Sequence, residues 1–137
     1  MEKIKVYING DIITTDFLNK EINLIFFDSL KYMYEKYPHL LEFFIFTKNE
    51  ETLKEKLQEF NYSFIKKEDL PKDINKMHHL IDNDYDFLCE WERRTGKGIT
   101  YNLKHSSKEQ WLGFKLTSQM TKEEFIQTFQ KTMHLYN

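Results

Sequence analysis

DNDYDFLCEWERRTGKGITYNLKH, residues 82–105, is the stretch on which the fold turns. Tyr85, Phe87, Cys89 and Trp91 stand at odd positions. Asp82, Asp84, Asp86, Glu90 and Glu92 stand at even ones, with Leu88 the exception. Alternation of that kind is the period of a half-buried strand, so the spacing predicts a strand with an aromatic inner face and an acidic outer face. After the glycines, Ile99, Tyr101 and Leu103 alternate with Thr100, Asn102 and Lys104 in the same way. A Gly96-Lys97-Gly98 loop sets Trp91 opposite Leu103, Cys89 opposite His105 and Glu90 opposite Lys104. Loops one residue shorter or longer mix the faces. The glycines therefore read as a hairpin turn.

The same residues exclude two phosphate-binding signatures. A Walker loop needs G-x-x-x-x-G-K-[ST], but Trp91 occupies the first glycine's place and Gly98 that of the hydroxyl residue. In G-x-G-x-x-G, Tyr101 replaces the third glycine. Asp82, Asp84 and Asp86 open like a calcium loop, yet Phe87 and Arg93 stand where that loop needs Gly and Glu.

Working outward, Ile4, Val6 and Ile8 alternate with Lys3, Lys5 and Tyr7, and Asn9-Gly10 follows as a strong hairpin signal. A hairpin over 3–15 is expected. From Phe17 to Lys36 the period becomes helical, with Thr15 and Asp16 as candidate caps, until Pro38 forbids continuation. Residues 40–46 read as a buried strand, Glu50–Phe60 as a helix behind Asn49, and 62–66 as a strand. Pro71–Leu80 reads as a short helix, 110–117 as a strand, and Thr121 with Glu124 as the capping box of a last helix. The expected fold is α+β: a single domain over 1–137, with a predominantly antiparallel sheet. It has an N-terminal β-hairpin, a C-terminal β-meander and three to four helices packed on it.

The chain has 137 residues, 40% of them apolar and 16% aromatic, enough to build a core and too many for disorder. Twenty basic residues against 22 acidic ones leave a net charge of -2, which weighs against nonspecific nucleic-acid binding. One cysteine permits no internal disulfide. The N-terminus lacks the apolar core of a signal peptide, and the runs at 24–27 and 43–46 are too short to span a bilayer. A cytoplasmic protein without membrane contact is expected.

No metal or cofactor site stands out. His39, His78, His79, His105 and His134 show no zinc spacing, and a Cys89–His105 pair reads more readily as packing than as a nucleophile. No G-x-S-x-G accompanies Ser106 or Ser107. With no catalytic motif, no cofactor and no enzymatic activity are expected. The remaining feature is surface: Asp82, Asp84, Asp86, Glu90 and Glu92 form an acidic face suited to a basic protein. Tyr32, Tyr34 and Tyr37 are aromatics of the kind that interfaces favour. The expected function is that of a small inhibitor, such as an immunity protein neutralising a toxin or nuclease, or a phage-encoded inhibitor. The alternatives are a nucleic-acid or nucleotide-binding module using Arg93, Arg94, Lys97 and Lys104, or a small enzyme.

Overall fold

The structure is a computed structural model that describes residues 2–16, 21–57, 60–103 and 111–135. Six strands form one sheet in the order β5-β4-β1-β6-β7-β8: β1 (Ile4–Asn9), β4 (Leu41–Phe46), β5 (Tyr62–Phe64), β6 (His78–Asp82), β7 (Lys97–Tyr101) and β8 (Phe114–Leu116). Every pairing in it is parallel. Four helices, α1 (Leu24–Lys36), α2 (Glu50–Lys56), α3 (Tyr85–Arg93) and α4 (Lys122–Met133), connect or follow these strands. The fold is α/β, and the expectation of a predominantly antiparallel α+β sheet is overturned.

The reason is burial on both faces. Parallel strands are covered by crossover helices on either side, so they lose the polar-out alternation of an antiparallel sheet. Val6, Ile8, Phe43, Ile45, Ile81 and Ile99 enter one core with Phe26 and Leu30 of α1, Leu53 of α2, and Phe125 and Phe129 of α4. Tyr7, Phe46 and Leu80 enter the other with Leu88 and Trp91 of α3 and with Trp111. All five residues of β6 are buried, which is why His78 and His79 sit in a strand and not in the expected 71–80 helix. A single 3₁₀ turn, Lys67–Asp69, precedes β6.

The expected N-terminal hairpin is absent for the same reason. β1 lies between β4 and β6, so both of its edges are occupied. Residues 14–16 (β2) instead pair antiparallel with Glu21–Ile22 (β3) in a separate two-stranded sheet. Asn23, not Thr15 or Asp16, caps α1: its side chain accepts from Phe26 N at 3.1 Å. The stretch 17–20 of the expected helix lies outside the described residues.

Residues 85–93 are helix α3, not a strand, and Asp84 is its N-cap, accepting from Phe87 N at 3.2 Å. Leu88 and Trp91, three residues apart, are its buried side chains. The expected glycine turn fails with it. Gly98 is inside β7, no described glycine has positive φ, and the left-handed residue after α3 is Thr95, φ 73°. The expected meander is therefore replaced by a β-α-β crossover. The contacts expected of Lys104 and His105 lie outside the described residues. The strand at 41–46 and the Thr121–Glu124 capping box of α4 form as expected, whereas α2 stops at Lys56, short of the expected Phe60, and β5 at Phe64, short of 66.

Candidate functional site at the carboxyl ends of the strands

Counted along the large sheet in chain order, the strands run 3-2-1-4-5-6. The direction of connection reverses between β1 and β6. In open α/β sheets a crevice opens at such a reversal, outside the carboxyl ends of the strands, and ligands bind there. Asn9 ends β1 and Asp82 ends β6, so the two strands on either side of the reversal each present a polar side chain.

These side chains are joined. Asn9 Nδ2 donates to both carboxylate oxygens of Asp82 at 3.3 Å. Asp82 is 1% exposed and also accepts from the amides of Asn83 at 2.7 Å and Asp84 at 3.2 Å. Burial raises its pKa, opposed by those three donors and by the Lys67 ammonium. Asn9 Oδ1 in turn accepts from Asp11 N at 3.0 Å. The Asp11 carboxylate accepts from Thr47 Oγ1 at 2.5 Å and from Lys48 N, both oxygens at 3.2 Å. A hydrogen-bonded path thus runs from β6 through β1 to the end of β4, and it fixes an exposed carboxylate at its far end.

Gly10 makes that path geometrically feasible. Its N–H donates to Phe46 O at 2.9 Å, and a Cβ there would lie 2.8 Å from Leu53 Cδ2 and 2.9 Å from Ile45 Cγ2. Gly10 lies in a turn closed by Ile12 N donating to Asn9 O at 3.4 Å, but without positive φ; the glycine answers to the close approach of α2 and β4. Beside Asp11 opens a cavity of about 470 Å³, walled by Thr14 and Ile22 of the small sheet and by Lys48, Asn49, Thr52 and Leu53. Among the described residues no three His, Cys, Asp or Glu side chains gather to hold a metal ion.

The five acids singled out in the sequence do not share a strand face. Asp82 is buried in the path just described. Asp84, Asp86, Glu90 and Glu92 are exposed at or on α3. Of these, Asp84 caps the helix, Glu90 pairs with Arg93 at 2.9 Å, and Glu92 Oε2 accepts from Gly98 N at 3.1 Å. Arg94 is exposed, Lys97 is half-buried in β7, and Lys104 lies outside the described residues. Cys89 is half-buried and free. Tyr34 and Tyr37 contribute to the core packing, while Tyr32 is exposed.

Sequence reasoning passed over Asn9, Asp11 and Thr47. The signal was present: three apolar runs, KVYI, LEFFIF and HHLI, each end in a short polar group, Asn9-Gly10-Asp11, Thr47-Lys48-Asn49 and Asp82-Asn83-Asp84. That is how the carboxyl ends of neighbouring parallel strands look once the runs are read as strands.

The architecture defines an open α/β protein with a central switch point. Compared with protein-family models, curated proteins and solved structures, the chain matches none. Among the described residues no helix is long and apolar enough to cross a membrane.

Proposed function

We propose that the protein binds a small polar molecule in the cavity at the carboxyl ends of β1 and β4, with the Asp11 carboxylate as the contacting group. The observation that carries this reading is the Asp82–Asn9–Asp11–Thr47 path. It spends a buried carboxylate, an amide and a hydroxyl on holding one exposed carboxylate in place beside a cavity. Pre-organisation of that kind lowers the ordering cost of binding. The ligand presents hydrogen-bond donors or a positive charge to Asp11, since an ionised carboxylate only accepts. If the ligand is turned over, Asp11 is the group positioned to take a proton from it.

The test is a metabolite panel, with amines, amino acids, sugars, nucleosides and nucleotides run with and without magnesium, read by amide NMR shifts and by turnover. Hits should move Asn9–Thr14, Thr47–Asn49 and Asp82–Asp84, and Asp11→Asn should abolish the response while leaving melting unchanged. Hits that move only other regions, or no hit in the whole panel, would overturn the reading.

A second reading, an inhibitor of a basic protein such as a toxin or nuclease, is supported by the exposure of Asp86 and Glu90 one turn apart on α3. Reversing both to Lys should slow association with a captured partner most strongly at low salt. Unchanged rates at low salt would remove it.

A further inference from the structure

A larger cavity, of about 780 Å³, lies between the second half of α1, the end of α2 and the edge strand β5. It shares no lining residue with the crevice at Asp11. Its apolar wall is Leu57 with four rings, Tyr34, Phe60, Tyr62 and Phe64. The rings are mutually set, with Phe60 and Tyr62 centroids 4.9 Å apart and those of Tyr62 and Phe64 5.4 Å apart and edge-on. Asn61 Nδ2 donates to Tyr34 Oη at 2.7 Å and holds the phenol at the rim. All four rings are only partly buried, so part of their surface faces the cavity.

The polar wall is cationic. Lys31 of α1 and Lys54 of α2 line the cavity, with Glu35 as the acid among its lining residues. Among the described residues neither lysine has a carboxylate within salt-bridge distance. Among the described lining residues, two ammonium groups stand against one carboxylate, beside an aromatic wall. Aromatic faces prefer another ring in offset or edge-on contact, and ammonium groups prefer an anion.

We propose that this cavity binds a flat aromatic monocarboxylate, with the ring against Phe60 and Tyr62 and the carboxylate toward Lys31 and Lys54. Glu35 beside the two lysines favours a monoanion over an aryl phosphate, whose second charge would meet that carboxylate.

The probe is 2-naphthoate, compared with 2-naphthamide, which has the same shape and no charge, and with naphthyl phosphate. Titrations are followed by amide NMR shifts on the full chain. Naphthoate should move Tyr34, Asn61, Tyr62 and Phe64 and bind more tightly than either analogue. Lys54 is exposed, so Lys54→Gln should leave melting unchanged. It should weaken naphthoate about threefold, the scale of one exposed ion pair, and leave naphthamide unaffected. Lys54→Glu should weaken it further. Equal binding of the amide, an unchanged naphthoate affinity in Lys54→Glu, absence of binding, or shifts confined to other surfaces would each overturn the proposal. Because the lining residues are disjoint, an effect of Asp11→Asn on naphthoate would also count against it.

Discussion

His79 makes the stability of this protein depend on acid. It lies in β6, in register with Val6 of β1 and Lys97 of β7, and is 2% exposed. Among the described residues neither ring nitrogen has a hydrogen-bond partner. Burial drives its pKa down from 6.5 to about 4. Backbone groups of Thr132 and Met77 oppose this without reaching hydrogen-bond geometry, and the smaller effects of Lys97 and His134 push it down. The fold holds the neutral imidazole, while the unfolded chain takes up a proton below pH 6.5. Stability from this group is therefore complete above pH 6.5 and drains away as the pH falls toward 4. The loss amounts to roughly 3 kcal/mol, at about 1.4 kcal/mol per unit of pKa difference. The assay is urea denaturation of the wild type and His79→Leu from pH 7 to 4, read as the difference between the two so that the other titrating groups cancel. Leucine removes two unsatisfied buried nitrogens, so the variant should be about 1 kcal/mol or more the stabler at pH 7. Its advantage should grow by roughly the further 3 kcal/mol at pH 4. A difference that stays flat across that range would refute the assignment of a neutral, unpartnered His79.

Gly10→Ala places a Cβ against Leu53 and Ile45 and should cost about 1–3 kcal/mol by overpacking, measured by thermal melting. Asp84→Ala removes the α3 cap and should cost about 1 kcal/mol, whereas Asp86→Ala should be nearly neutral; equal effects would contradict the helix boundary. Asp82 has a raised pKa, so its contribution is present below the ordinary aspartate range and is lost as the pH rises through its folded value. Asp82→Asn should flatten that segment of the stability profile and shift the amide resonances of Asn9 and Asp11.

The misreading of residues 82–92 has a physical cause. Nine helical residues make two and a half turns, and over so short a span the positions 85, 87, 89 and 91 satisfy a period of two while 88 and 91 satisfy the helical one. Leu88, set aside as the exception to the alternation, is fully buried. Asp84 three residues before Phe87 was a cap signal of the same kind as Thr121 before Glu124, and only the latter carried the reciprocal glutamate. In β1 the alternation was real, but Tyr7 on the supposedly outer face is 4% exposed because α3 covers it. Asn9-Gly10 signalled a turn whose glycine serves instead to admit Leu53. The local elements with strong end signals, β4 and α4, were legible. The crevice was not, because its walls meet only when the ends of β1 and β4, the small sheet and α2 come together, a fact of topology that no local pattern carries.

The central position of β1 bears on how the protein is made. β1 is synthesised first, pairs on one side with β4 and on the other with β6, and each pairing must wait for an intervening crossover. A ribosome that has released residues up to Phe64 has supplied one neighbour and not the other. Until His78–Asp82 emerges, the backbone amides and carbonyls along one whole edge of β1 are open, beside the apolar side chains of Val6 and Ile8. Bare edges of that kind recruit other strands. The interval between β5 and β6, which contains Pro71 and the charged run Lys66-Lys67-Glu68-Asp69, is thus a window of vulnerability during translation. Its length sets how long the nascent chain depends on a chaperone, or on luck, to keep that edge from finding a partner other than its own.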